Sequence, residues 1–141
     1  MATIFTRIIE GDLPGNLVWR DDRCVAFDTI APLTPGHVLV VPIEEVDHWL
    51  DLDADLVAHL FQVAQSIGRA QMAAFSPTRV GLIVAGLEVP HAHLHVVPIQ
   101  TEADLDFRNA DHDVTAAARL AAVTALREAL RAAGYPEAVD G

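Results

Sequence analysis

Pro90-His91-Ala92-His93-Leu94-His95-Val96-Val97-Pro98 is the stretch on which the reading of this chain turns. The run is short, rich in apolar residues and bounded by proline, which predicts a central strand over residues 91–99. Side chains alternate between the faces of a strand. His91, His93 and His95 therefore share one face, with neighbours about 7 Å apart. Ala92, Leu94 and Val96 turn the other way, into apolar packing. Three imidazoles in strict alternation on an otherwise apolar strand call for partners, because a buried polar group without one is costly.

Working outward, residues 37–42 (HVLVVP) read as a buried strand ended by Pro42, and residues 79–85 as another, joined to the histidine strand through the short connection 86–90. Nearer the N-terminus, residues 17–19 and 23–27 form a hairpin turned at Asp21-Asp22, and two prolines and a glycine make 31–36 a loop. Ile4, Phe5, Ile8 and Ile9 stand at helical spacing before Gly11 and Pro14. Asp53 is the predicted N-cap of a long helix to about Phe75, with Leu56, Leu60, Val63, Ala64 and Ile67 on one face and Val57 and Phe61 forming a second apolar row. Burial of both rows suggests a partner chain. Asp113 is the predicted cap of a second helix carrying Ala117, Leu120, Val123, Leu126 and Leu130, stopped by Gly134 and Pro136. The expected fold is α+β: an antiparallel sheet of about five strands with two main helices. One domain over 1–141 is expected, its core at about 2–100 and its C-terminal helix at about 113–134.

The chain has 141 residues, of which 52% are apolar, enough for a core without metals or disulfides. Its formal charge of −11 argues against broad binding of nucleic acid, yet leaves room for a small anionic ligand. Cys24, the single cysteine, lies in an apolar run and is read as a buried, inert thiol. Charged residues interrupt the N-terminus early, so no signal peptide is expected, and no apolar stretch is long enough to span a bilayer. A cytoplasmic protein without membrane contact is the expectation.

From the residues alone, three roles for the histidines stay open. They can be structural, satisfied by neighbours or water. They can chelate Zn²⁺, completed by His37 or Glu88. They can act on phosphorus.

The run resembles the signature of the histidine-triad (HIT) superfamily. Two further stretches are similar to that family: Pro35-Gly36-His37-Val38-Leu39-Val40-Val41-Pro42, like its strand with a fourth histidine, and Ile4-Phe5-Thr6-Arg7-Ile8-Ile9-Glu10-Gly11-Asp12-Leu13-Pro14, like its N-terminus. The resemblance covers about residues 2–100. It implies an enzyme without a cofactor that transfers or hydrolyses a nucleotide at the α-phosphate. His93 would be the nucleophile, forming a covalent nucleotidyl-histidine. The main-chain carbonyl of His91 would fix the His93 tautomer, His95 would stand beside the phosphate, and His37 would orient the triad. The base pocket would map onto Ile4, Phe5, Ile8, Phe27 and Ile30. The substrate would be a small nucleotide, a nucleoside phosphoramidate or a dinucleoside polyphosphate, and the protein a homodimer. The alternative is a non-catalytic nucleotide-binding or interaction module.

Four departures bear on these expectations. The Cys-x-x-Cys with which many bacterial members bind zinc is replaced by Thr3 and Thr6, so no metal is expected there, and His48 is read as a surface residue. The family's ribose-gripping Asp or Asn falls at Thr29, with Asp28 beside it. Val84 stands where a polar amide assists the phosphate. Glu88 stands where a Ser or Thr contacts it, either turned outward or facing the leaving group.

Overall fold

A computed structural model describes residues 2–139. Five strands, β1 (Leu17–Arg20), β2 (Cys24–Asp28), β3 (Val38–Pro42), β4 (Arg79–Ile83) and β5 (Leu94–Ile99), form one antiparallel sheet in the order β1-β2-β3-β5-β4. Three helices accompany them: α1 (Ile4–Ile9), α2 (Ala54–Phe75) and α3 (Ala116–Ala132). The α+β reading and the order hairpin, strand, helix, hairpin, helix are both observed.

Alternation along the strands builds two cores. Cys24 and Ala26 of β2, Val38 and Val40 of β3, and Leu94 and Val96 of β5 face α2 and α3, meeting Leu56, Leu60, Val63 and Ile67 of α2 and Val123, Leu126 and Leu130 of α3. The intervening residues, Val25, Phe27, Leu39 and Val41, face the other way and pack against Phe5 and Ile9 of α1. A helix of 6 residues covers only part of that second face. The remainder, where Leu39 is paired with His95, is left open for a site.

Asp21 fixes the β1–β2 turn. Its carboxylate accepts from the backbone N–H groups of Arg23 and Cys24, from the Trp19 indole and from His59 of α2. Cys24 is fully buried, and burial pushes its thiol far above the usual thiol range. Gln71 of α2 reaches through the core to donate to the main-chain oxygens of Gly36 and Val96, both at 2.9 Å. The C-terminal tail returns to the sheet edge, where Arg20 N–H donates to Glu137 O and Val139 N–H to Val18 O.

Two boundaries differ from expectation for a reason visible in the hydrogen bonds. The histidine strand begins at Leu94, because the N–H groups of His91 and Ala92 go to Val89 O and Val46 O instead of a neighbouring strand. The second long helix is capped by Thr115, whose hydroxyl accepts from Ala118 N–H, while the N–H of Asp113 is tied to Asp111 in the preceding turn. Ala117 and Leu120 consequently sit on the exposed first turns. Asp53 occupies the N-cap position of α2 without a side-chain hydrogen bond. Phe61, from the second apolar row of that helix, is exposed in this single chain. No helix among the described residues is long and apolar enough to cross a membrane.

Candidate active site

The four histidines occupy two ranks on the open face. His93 and His95 line a cleft of about 390 Å³, together with Ile4, Phe5, Ile8, Phe27, Thr29, Ile30 and Glu88. Every residue expected to touch substrate is thus gathered around one opening. His91 and His37 do not line it; they stand behind, fully or nearly fully buried.

Backbone groups that can only donate or only accept, with one relay from ring to ring, fix the tautomers of these four histidines. Leu33 N–H donates to His37 Nδ1 at 3.0 Å, so a neutral His37 carries its proton on Nε2. That nitrogen lies 2.9 Å from His95 Nδ1 and donates to it, which leaves the His95 proton on Nε2. His91 Nε2 lies 2.8 Å from Pro42 O and must be the protonated nitrogen. Its Nδ1 then accepts from the Thr3 hydroxyl at 2.7 Å. His93 Nδ1 donates to His91 O at 2.7 Å, so its Nε2 keeps a free lone pair.

Burial favours the neutral form of His37, His93 and His95. Burial lowers His37 to about 3, reinforced by the neighbouring His95 and His93, and lowers His95 to about 4. Burial also depresses His93, opposed by its hydrogen bond to His91 and by the charge of Glu88. The Phe5 ring sets its edge against His93, with centroids 4.9 Å apart, and His93 meets His95 in the same manner at 4.8 Å.

A second cleft, of about 130 Å³, opens on the other side of His93 and His95 between Ala85, Gly86, Leu87, Glu88 and Phe107. Glu88 is exposed and borders both clefts. Val84 packs against the large core and lines neither cleft. Asp28 turns toward α3, where the Arg119 guanidinium grips both of its oxygens at 2.9 and 3.0 Å. Thr29 stays on the cleft side, its hydroxyl accepting from Ala31 N–H.

Sequence reasoning missed Phe107, whose ring meets His95 edge-on at 5.0 Å. It lies in a 3-10 turn, Phe107–Asn109, inside an Asp-rich stretch that carried no periodic signal. It also missed Glu45, which accepts from Thr3 N–H and the Thr6 hydroxyl, both at 2.7 Å.

The N-terminal cluster does not suit zinc. Its donors are two hydroxyls, one carboxylate and one imidazole, with no thiolate, and both nitrogens of His91 are committed to hydrogen bonds. His48, expected at the surface, is exposed and accepts from Leu50 N–H.

A family model described as the HIT domain matches residues 10–102. An uncharacterized HIT-like protein of Saccharolobus solfataricus is 35% identical over 100 residues, covering 67% of this chain and 72% of that one. A zinc-bound histidine triad family protein from Mycobacterium smegmatis superposes with a TM-score of 0.82 at 27% identity, covering 94% of this chain and 96% of that one. A HIT family hydrolase from Legionella pneumophila superposes at 0.59 with 29% identity over 68% and 91% of the two chains.

Proposed function

The chain belongs to the HIT domain family, and on that premise we propose that it is a nucleotide hydrolase or nucleotidyltransferase whose nucleophile is His93. One observation carries the reading: the Nδ1–H of His93 is spent on His91 O, which leaves Nε2 unprotonated in a ring that lines the cleft.

The base lies in the apolar slot between Ile4, Phe5, Ile8, Phe27 and Ile30, and Thr29 stands at the ribose. His93 Nε2 attacks the α-phosphorus in line. The bond from phosphorus to the leaving group breaks as the N–P bond forms, and the leaving group takes a proton from solvent. His95 Nε2–H donates to the phosphate oxygens without adding charge. A water then adds to phosphorus, the N–P bond breaks, the nucleoside monophosphate departs and the surplus proton returns to solvent. The substrate is a nucleoside phosphoramidate or a dinucleoside polyphosphate.

The same proposal takes the chain as one domain acting on a small nucleotide in the cytoplasm, without nucleic acid or membrane. It also takes the chain as a homodimer. Phe61 and Met72 of α2 and Leu82 of the edge strand β4 line an open groove and are all substantially exposed in the single chain. Light scattering on the purified protein tests the homodimer.

Nucleotide release from a panel of phosphoramidates and dinucleoside polyphosphates, measured beside His93→Ala, tests the chemistry. Release that vanishes in the variant is expected. Nucleotide binding without release from any compound would instead make the chain a binding module.

A further inference from the structure

Cys24 opens β2 on the face of the sheet that packs against α2 and α3, opposite the face of the histidine clefts. There the Asp21 carboxylate, the Cys24 thiol and the His59 imidazole of α2 bring one donor atom each within 4.8 Å of one another. None of the three lines either cleft. We propose that these residues form a separate, non-catalytic site for a single thiophilic divalent cation of the Zn²⁺ type, which staples the β1–β2 turn to α2.

The first argument is the crowding of one oxygen. Asp21 Oδ1 accepts from the backbone N–H groups of Arg23 and Cys24, both at 2.8 Å. Oδ2 accepts from the Trp19 indole and from His59 Nε2, both at 2.8 Å, and the Cys24 thiol is aimed at it from 3.5 Å. A carboxylate oxygen offers two lone pairs, so three donors compete for two places. A cation that displaces the thiol proton and the Nε2 proton ends the competition: Trp19 keeps one lone pair and the metal takes the other. In a tetrahedral site, bonds of about 2.0–2.3 Å set the ligand atoms about 3.2–3.7 Å apart. Asp21 and Cys24 already stand at that separation, and His59 has only to open from 2.8 Å. The indole and the two backbone N–H groups then orient the ligating carboxylate from behind.

The second argument is charge. A thiolate, a carboxylate and a neutral imidazole together carry two negative charges, which one divalent cation cancels, so the largely buried cluster is left neutral. Without a cation, burial keeps the Cys24 thiol protonated. On binding, the thiol proton leaves to solvent and the imidazole keeps its one remaining proton on Nδ1. Sulfur and imidazole nitrogen select zinc-like ions, whereas Mg²⁺ and Ca²⁺ favour oxygen ligands. The His59 and Asp21 side chains keep 28% and 12% of their surface exposed, which gives the ion a way in and leaves room for water as the fourth ligand. This cluster thus has the thiol that the Thr3, Thr6 and Glu45 cluster lacks.

Cys24 is the single cysteine, so a thiolate-to-metal absorption band reports on this site and on no other. The probe is Co²⁺, titrated into the untagged, metal-free protein kept reduced with a thiol-free reductant. One Co²⁺ per chain is expected to raise a near-ultraviolet thiolate-to-cobalt band that Zn²⁺ abolishes and that excess Mg²⁺ or Ca²⁺ leaves alone. His59→Gln keeps a donor for Asp21 but removes the ligand. It should fold as the parent does, by circular dichroism, and weaken development of the band by about tenfold or more. Zn²⁺ should raise the Tm of the parent and leave that of the variant nearly unchanged. Uptake of Co²⁺ without a thiolate band, a band that develops equally in His59→Gln, or no uptake from excess Co²⁺ each overturns the site. Nucleotide release plays no part in this test, so the hydrolase reading stands or falls separately.

Discussion

The hydroxyl of Thr3 stands 2.7 Å from Nδ1 of His91 and holds the ring whose main-chain oxygen, in turn, accepts from His93 Nδ1–H. Thr3 is also the N-cap of α1, the helix that carries Phe5 against His93. One threonine therefore joins the Phe5 wall of the cleft to the support of the His93 ring, and Glu45 steadies it through Thr3 N–H and the Thr6 hydroxyl.

Thr3→Val removes that bond, and the cap bond from Thr6 N–H, at nearly constant shape. Loss of the bond to His91, about 0.5–1.5 kcal/mol, predicts a fall in kcat of roughly 2- to 12-fold. KM should rise as well, because the helix that carries the pocket wall loses its cap. Thr3→Ser should restore the rate, and ¹⁵N spectra should show the His91 Nδ1 signal shifted by loss of its hydrogen bond in the valine variant only, with the tautomer still held by Pro42 O. A changed KM with an unchanged kcat would contradict the positioning role.

Acid should destabilise the fold in two separable windows. Folded His37 and His95 titrate at about 3 and about 4, and His93 below its ordinary value, against 6.5 for an unhindered histidine. Below 6.5 the unfolded chain binds protons that the folded chain refuses. Stability is therefore lost as the pH falls, by up to about 1.4 kcal/mol per pH unit for each such ring. For Asp21, burial alone would raise the carboxyl, but hydrogen bonds from Trp19, Arg23, Cys24 and His59 outweigh it and bring it to about 2. Its contribution is present above 3.8 and lost only in stronger acid. Thermal melts from pH 7 to pH 4.5 should show the histidine window alone; a flat Tm there would count against neutral buried rings.

Gly36→Ala should be strongly destabilising. Gly36 adopts φ +90, and a Cβ there would run into the Phe75 ring. Left-handed strain of about 1–3 kcal/mol combines with that clash. Because Gly36 precedes His37, the variant should also lower the rate at temperatures where it remains folded. Chemical denaturation beside an activity assay checks both effects.

Arg119→Met leaves the Asp28 carboxylate without its forked partner in a largely buried setting. A loss of about 1.5–3 kcal/mol in stability is expected. The substrate KM should also rise, since Asp28 borders the cleft beside Thr29. Unchanged stability would show that water replaces the guanidinium fully.

Much of this architecture was legible because periodicity survives burial: the five strands and both long helices follow from alternation and from a 3.6-residue repeat. Where the reading slipped, hydrogen bonds to distant partners decided. Nothing local reveals that Ala92 N–H goes to Val46 O, which keeps residues 91–93 out of β5. Nor does the sequence say which of two nearby polar residues caps α3. Of the cleft, the histidines and the apolar wall were readable by resemblance. Glu45 and Phe107 were not, since each is a lone residue in a loop brought in by tertiary contact.

The row from Leu33 through His37 to His95 starts at a backbone amide, and an amide has only one way to point its hydrogen. Each ring copies that orientation to the next. Mutation of a side chain can interrupt the row, but no change of solvent acidity short of protonating the rings can turn it round. The polarity that His95 presents to the cleft is thus written in the path of the main chain through residues 31–36, with the His37 ring in between.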